Sequence, residues 1–410
     1  MTNVYDTLQT RGFIKQVTDE KAVRHLFDRE QVTAYVGYDP TAESLHVGNL
    51  LSIMALKHLE EAGHRPLTIV GGGTVMVGDP SGRTELRQML GADTIDKQTA
   101  CIRGQLQRYL DFDGKKSLIE NNADWLLDLN YIEFLREIGR HFSVNRMLSF
   151  EAYKARMEKG LSFLEFNYQL LQAYDFLVLY RMHGCRLQMG GDDQWGNIVA
   201  GTDLIRRTES AEAFGLTSPL VTTASGAKMG KTAEGAVWLD ANRVSPYDYY
   251  QFWVNCDDRD VKRWLALYTF LPMDEVERLG AFEGEKIRDA KQTLAFEATK
   301  ITHGEDEAHK AREAALAAFS GGGDMDGVPT HTVARGALEA GVEAIQLFVD
   351  AGLAGSRGEA KRLIKAGGAY VNKEKVPAID HAITADLLDD EGCLMIRAGK
   401  KKYVRIQMES

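Results

Sequence analysis

His46 and Asn49 stand three residues apart in YVGYDPTAESLHVGNL, Tyr35 to Leu50, just after a β-type run ending at Tyr38 and a loop carrying Pro40. On the first turn of a helix that spacing places both side chains on one side. Gly48 between them admits a ligand close to the backbone. A strand feeding a helix N-terminus also leaves backbone N–H groups unpaired above the sheet edge, which suits a phosphate or carboxylate and so a ligand such as ATP. HVGN alone also reads as an ordinary β-loop-α connection with a surface histidine and a polar cap.

Three other stretches carry chemistry-bearing side chains. In TTASGAKMGKTAEGAVWL, Thr222 to Leu239, Lys228 and Lys231 lie among Gly226, Gly230 and Gly235 with Thr232 alongside. Such a loop can close on polyphosphate, or be a plain Lys-Gly surface loop. It is not a Walker A loop, because Ser225 stands where that motif needs glycine. GGGTVMVGDPSGRTELR, Gly71 to Arg87, holds Asp79, Arg83 and Arg87 but does not match the GxGxxG dinucleotide fingerprint, which argues against a dehydrogenase. In Phe166 to Gly201, Tyr168, Gln172 and Asp175 recur at i, i+4 and i+7 on an otherwise apolar helix. Burying them unpaired would cost several kcal/mol, so they grip a ligand or bond one another. Asp192, Asp193 and Gln194 in GGDDQWGN then fall at the C-terminal end of a strand, Cys185 to Met189, where open α/β sheets bind ligands.

The elements that must hold these groups follow from the pattern around them. Val4 to Phe27 reads as helix, with a second helix opening at Asp19 and Glu20, and Val32 to Tyr38 as the first strand. Leu50 to Glu61 has helical apolar spacing and stops at Gly63; Leu67 to Val70 is a short buried strand. Strand, helix, strand in this order predicts a βαβ unit in a doubly wound parallel sheet. Asp96 to Lys159 reads as mostly amphipathic helix with little chemistry, and Ser245 to about Phe319 as a helical block. Ser320 to Thr330 is a Gly-rich linker, and Val342 to Met408 reads as two helices and short strands. Within that tail Arg357, Lys361, Arg362 and Lys365 share helical spacing, followed by Lys373 and Lys375.

Composition narrows the class. At 410 residues, 44% hydrophobic and 26% charged, the chain is a soluble globular protein of several domains. Cys101, Cys185, Cys256 and Cys393 are far apart, so neither a zinc site nor a disulfide framework is expected, and a reducing cytoplasm fits. No apolar run approaches a membrane span, and MTNVYDTLQTRGF has no apolar signal core. The net charge of −10 disfavours a broadly basic binding surface, yet Ser356 to Ser410 holds eleven Lys and Arg against eight Asp and Glu.

HVGN after the first strand and KMGKT far downstream resemble the two signature motifs of class I aminoacyl-tRNA synthetases, HIGH and KMSKS. YVGYDPTAESLHVGN, GDPSGR, YQLLQAYD and GGDDQWGN together are similar to the bacterial tyrosyl-tRNA synthetase family, and the similarity runs across the whole chain. It implies a Rossmann-like catalytic domain (1–225), the KMSKS-like loop and an α-helical anticodon-binding domain (226–319), a linker (320–335) and a small α+β RNA-binding domain (336–410). It also implies activation of L-tyrosine by ATP with Mg2+, transfer to the 3′ end of tRNA(Tyr), no tightly bound cofactor and a homodimer.

By the same resemblance Tyr35 and Asp175 take the substrate's phenolic hydroxyl, while Asp79, Tyr168, Gln172 and Gln194 surround its ammonium group and ring. Gly37, Asp39, Thr41, His46, Gly48, Asn49 and Asp193 match positions around ATP and the adenylate. Lys228, Lys231, Arg83 and Arg87, with Thr232 beside them, match those that hold pyrophosphate. Arg357, Lys361, Arg362, Lys365 and Lys373 match the tail's RNA contacts. Departures are Asn49 where the motif has a second histidine, Val36 where many relatives have cysteine, Arg83 for lysine, and Gly230 and Thr232 for serines. The competing readings are a tryptophan-activating relative, which the Tyr35 and Asp175 pair disfavours, and a non-catalytic RNA-binding protein on the same scaffold.

Overall fold

The computed structural model describes residues 3–81, 90–226, 228–232, 235–320, 328–372, 374–389, 392–399 and 402–409, with the side chains of 152, 155, 231, 232 and 318–320 outside that description. Arg83, Arg87 and Lys373 therefore lie outside the described residues. The chain forms two compact units, Met1–Asp240 with Arg259–Ala281, and Ala241–Asp258 with Phe282–Ser410.

The first unit is built on a six-stranded sheet: β1 (Gln16–Val17), β2 (Thr33–Tyr38), β3 (Arg65–Val70), β4 (Leu118–Asn121), β5 (Cys185–Gly191) and β6 (Phe214–Ser218), in the order β1-β6-β5-β2-β3-β4. All neighbours run parallel except β1, which pairs antiparallel with β6 at the edge. The chain moves outward from β2 through β3 to β4 and returns to the other side of β2 with β5. The sheet reverses direction of growth between β2 and β5, and the crevice at their C-terminal ends is where such sheets take ligands. β2 is central, with five of its six residues, Thr33, Ala34, Tyr35, Val36 and Tyr38, buried, as a strand covered on both faces requires.

The first segment is two helices, the second opening at Asp19 and Glu20 as the sequence indicates: Val4–Arg11 ends at Gly12 in a left-handed conformation, and Asp19 caps the helix Glu20–Arg29. Two expectations need correction. The segment is not helix alone, because Gln16–Val17 between the helices forms β1. The segment 96–159 is not helix alone either, because Leu118–Asn121 forms β4 against β3. LIEN is too short, and too polar at its end, to show strand periodicity.

Helix termini place the polar groups. Helix Val47–Glu61 starts at His46, whose N–H donates to Asn49 Oδ1 at 3.1 Å. The long helix Phe163–His183 opens with a Ser162–Glu165 capping box, and Glu165 is buried against Arg156. Arg11, also buried, donates to the carbonyls of Ala266, Thr269 and Leu271, which ties the segment Arg259–Ala281 to the first helix.

In the second unit, helix Pro246–Val254 packs on helices Ile287–His303 and Glu305–Ser320. A five-stranded sheet follows, in the order Glu374–Lys375, Ala369–Val371, Cys393–Ala398, Lys402–Met408 and Thr330–Val333, with only the last pairing parallel. Leu347, Phe348, Ile364, Ile396 and Ile406 form the core beneath it. Helix Arg357–Lys365 buries Ala360 and Ile364 and leaves Arg357, Lys361, Arg362 and Lys365 exposed. Arg357 pairs with Glu343.

Candidate active site

A cavity of about 860 Å³ opens over the C-terminal ends of β2 and β5. Fourteen of the residues singled out above line it: Tyr35, Gly37, Asp39, Thr41, His46, Gly48, Asn49, Asp79, Tyr168, Gln172, Asp175, Asp193, Gln194 and Lys228. They come from the strand ends, the first turn of Val47–Glu61, one face of Phe163–His183 and the Lys228 loop.

The part of the cavity lined by Tyr35 of β2 and by Tyr168, Gln172 and Asp175 of Phe163–His183 is termed the slot. Tyr35 is 2% exposed, packs at a tilt against Phe176 with ring centroids 5.2 Å apart, and its buried hydroxyl has no hydrogen-bond partner among the described residues. Burial and the nearby Asp175 hold that hydroxyl protonated, well above the usual tyrosine range. Asp175 is equally buried and accepts from Asn122 Nδ2 at 2.9 Å and Trp125 Nε1 at 2.8 Å. Burial pushes its carboxyl up to about 7, against the pull of those two donors and with a smaller push from Asp39. A buried carboxylate and a buried phenol together offer an acceptor and a donor to a ligand hydroxyl.

Asn122 and Trp125 were not foreseen. They follow β4, the strand that sequence periodicity did not show, and only its pairing with β3 brings them beneath the slot. Asn122 also receives Gly73 N–H at 2.8 Å and donates to Thr74 Oγ1 at 2.9 Å, and Thr74 donates to Asp39 Oδ1 at 3.0 Å. The glycine run is explained by this crowding: a Cβ on Gly71 would lie 2.3 Å from Asp39 Oδ1. Gln188, on β5 beside Tyr35, is a further slot residue without a sequence signal.

Also lining the cavity, Gln194 Nε2 donates to Asp79 Oδ2 at 2.6 Å and Gln172 Nε2 to Gln194 Oε1 at 3.2 Å. Tyr168 Oη donates to Asp39 Oδ2 at 3.4 Å. The helical stripe of Tyr168, Gln172 and Asp175 thus bonds groups from other elements rather than itself, and all three line the cavity. Asp192 serves the scaffold: it accepts from Gln16 Nε2 at 2.6 Å and Thr217 Oγ1 at 3.0 Å, joining β5 to the β1 edge.

The outer part of the cavity has phosphate-binding chemistry. Asn49 spends its carbonyl oxygen on His46 N–H, which leaves its NH2 as the group to offer a ligand. The loop leading to His46 is braced from helix Ala92–Leu106, where Gln105 Oε1 accepts Leu45 N–H at 2.9 Å and Gln105 Nε2 donates to Ser44 at 3.0 Å. The Lys228 loop lies directly on the His46 turn: Val47 N–H donates to Val237 O at 2.9 Å and Val237 N–H to Gly230 O at 2.8 Å. Lys231–Thr232 pairs with Gly235–Ala236 in a short ribbon. Asp193 has its carboxyl raised by burial, with the Lys228 charge opposing. Among the described residues no group of three or more His, Cys, Asp or Glu is placed to hold a metal.

Comparison with known proteins agrees with this geometry. Residues 28–320 match the family model described as tRNA synthetases class I (W and Y), and residues 323–406 the tyrosine–tRNA ligase SYY-like C-terminal domain. A tyrosine–tRNA ligase from Clostridium tetani is 54% identical over 99% of both chains, and one from Lachnoclostridium phytofermentans 53% over 98% of both. Among solved structures, a C-terminally truncated mitochondrial tyrosyl-tRNA synthetase of Aspergillus nidulans aligns with TM-score 0.69 at 30% identity, covering 76% of this chain and 93% of that one. The tyrosyl-tRNA synthetase of Archaeoglobus fulgidus shares the fold at 16% identity and TM-score 0.57 over 75% of this chain and 99% of that one.

Proposed function

Given that this chain belongs to the bacterial tyrosyl-tRNA synthetase family of class I, activating L-tyrosine with ATP and transferring it to tRNA, we propose the following roles for its residues. The observation that carries them is the Tyr35 hydroxyl, buried near Asp175 in the cavity and without a hydrogen-bond partner among the described residues. A tyrosine phenol entering there donates to the Asp175 carboxylate and accepts from Tyr35. Phenylalanine would leave both groups buried and unpaired, so selection comes from the cost of the missing hydrogen bonds. The ammonium group lies against Asp79, Tyr168, Gln172 and Gln194.

ATP occupies the outer cavity, with Gly37, Asp39, Gly48 and Asp193 around the ribose and adenine. Thr41, His46 and Asn49 donate toward the phosphates. The tyrosine carboxylate attacks the α-phosphorus in line with pyrophosphate, and no covalent enzyme intermediate is needed. Rate comes from positioning and from charge stabilisation at the leaving group by Lys228 and Lys231, with Thr232 beside them. Arg83 and Arg87 join that set by family resemblance alone. Mg2+ accompanying the nucleotide would supply further charge neutralisation at the phosphates.

The exposed cations of helix Arg357–Lys365 make the tail a tRNA backbone contact. Leu127, Tyr131, Ile132, Val144 and Phe163 are large exposed apolar side chains within one stretch of the sequence, which supports association into a homodimer. The four free cysteines suit a cytoplasmic enzyme. Tyrosine-dependent ATP–pyrophosphate exchange tests the assignment. Folded protein that supports no exchange, or exchanges with tryptophan in place of tyrosine, would refute it.

A further inference from the structure

Asn197, on the first turn of helix Trp195–Glu209, is 4% exposed and belongs to none of the roles above. Its Nδ2 stands 3.0 Å from Gln172 Oε1, 3.2 Å from Gln194 Oε1 and 3.3 Å from Ser81 Oγ. An amide side chain has two orientations of nearly the same shape, so what decides between them is the partner each end meets.

The partners here leave one solution. Asp79 only accepts, so Gln194 must turn its NH2 toward that carboxylate, 2.6 Å away, and its oxygen away from it. That oxygen meets Gln172 Nε2 at 3.2 Å, which turns the oxygen of Gln172 away from Gln194. Asn197 Nδ2 donates to both of these oxygens. We propose that Asn197 is a positioning residue for amino acid recognition: its amide locks Gln172 and Gln194 so that the slot presents acceptors to the substrate's ammonium group.

With the lock in place the acceptors number three: the Asp79 carboxylate, Gln172 Oε1, and Tyr168 Oη, whose own proton goes to Asp39. An ammonium group has three N–H donors. Without Asn197, nothing holds Gln172 Oε1 in that sense, and a turned amide would point NH2 at an N–H donor. Ser81 contributes on the other side, its N–H holding Asp79 Oδ1 at 2.9 Å. The proposal rests on assigning this part of the slot to the ammonium group.

The test is equilibrium binding of two probes to the full chain: L-tyrosine, and 3-(4-hydroxyphenyl)propanoate, which keeps the phenol and carboxylate but lacks the amino group. Asn197→Leu is expected to weaken L-tyrosine roughly ten- to a hundredfold, the range for a hydrogen bond to a charged group, while the propanoate changes by less than about twofold. Equal weakening of both probes would mean that Asn197 only maintains the pocket, and an unchanged L-tyrosine affinity would remove it from recognition; either overturns the proposal. In a Gln172→Leu background, Asn197→Leu should add less than about twofold, since coupled residues are not additive; a full second loss would overturn the route through Gln172. Asn197→Ser retains one donor and serves if the leucine variant does not fold, with a partial loss expected for L-tyrosine alone. If the wild-type protein binds both probes equally, the assignment of the ammonium site fails, and the proposal with it.

Discussion

Gly230 of the KMGKT loop lies against Gly48 of HVGN so closely that a Cβ built on Gly230 would sit 3.1 Å from the Gly48 backbone nitrogen. Gly230 also has φ +76°, a region that other residues enter at a cost of about 1–2 kcal/mol. Glycine here lets the lysine loop rest directly on the turn that opens helix Val47–Glu61.

Gly230→Ala should therefore lift the loop from the turn. Pyrophosphate exchange is expected to slow about tenfold, the equivalent of about 1.4 kcal/mol, with the tyrosine affinity unchanged because the slot is untouched. Pre-steady-state adenylate formation, measured beside tyrosine binding, separates the two; an unchanged rate would show that the contact plays no part in catalysis.

Tyr35→Phe removes a buried hydroxyl that no group among the described residues satisfies. Thermal stability should hold or rise, since an unsatisfied buried group is costly. Tyrosine should bind about three- to tenfold more weakly, the worth of about 0.5–1.5 kcal/mol for one hydrogen bond, and preference over phenylalanine should shrink by the same factor. Loss of stability in place of selectivity would assign the hydroxyl to the core.

Asp175 makes the ligand-free protein sensitive to pH. Its carboxyl rises from an ordinary 3.8 to about 7 through burial. Between those values the folded state holds a proton that the unfolded chain has released, so stability is greatest below about 4 on this account and falls as pH rises through about 7. The whole effect is on the order of 4 kcal/mol. Asp175→Asn should flatten this slope in denaturant titrations of the free protein, and should also abolish tyrosine selection. In the wild type, tyrosine binding should weaken as pH drops below about 7, where the carboxylate that accepts the phenol becomes protonated.

Gly37 sits on β2 with nothing within 4 Å of the place a Cβ would take. Gly37→Val should leave the fold as stable as before or slightly more so, because a β-branched residue suits a strand. The added methyls enter the outer cavity, so ATP affinity should fall at least tenfold while tyrosine still binds. Isothermal titration with each substrate, beside a thermal melt, gives both readings.

Deleting residues 331–410 should spare tyrosyl-adenylate formation, since the cavity lies wholly in the first unit. Charging of tRNA should weaken, and its salt dependence should become shallower as phosphate contacts are lost. Equal loss of both activities would show that the tail supports the fold instead.

Much of this site was legible in the order of residues. HVGN, KMGKT, GGDDQWGN and the Tyr168, Gln172, Asp175 stripe are local patterns, with side-chain spacing set by helix and strand periods that neighbouring residues impose, and the structure brings members of all four to one cavity. What only the tertiary structure decided depends on pairings between distant segments. Asn122 and Trp125 reach Asp175 because LIEN joins the sheet beside β3, a placement fixed by long-range hydrogen bonds and not by its own polarity pattern. Gln105 braces the His46 loop from a helix begun some fifty residues later, and Asn197 holds amides contributed by two different helices. The raised Asp175 carboxyl likewise comes from burial that a linear sequence does not display. A motif specifies which groups are present; their partners, protonation and amide orientation arise only when the chain closes around them.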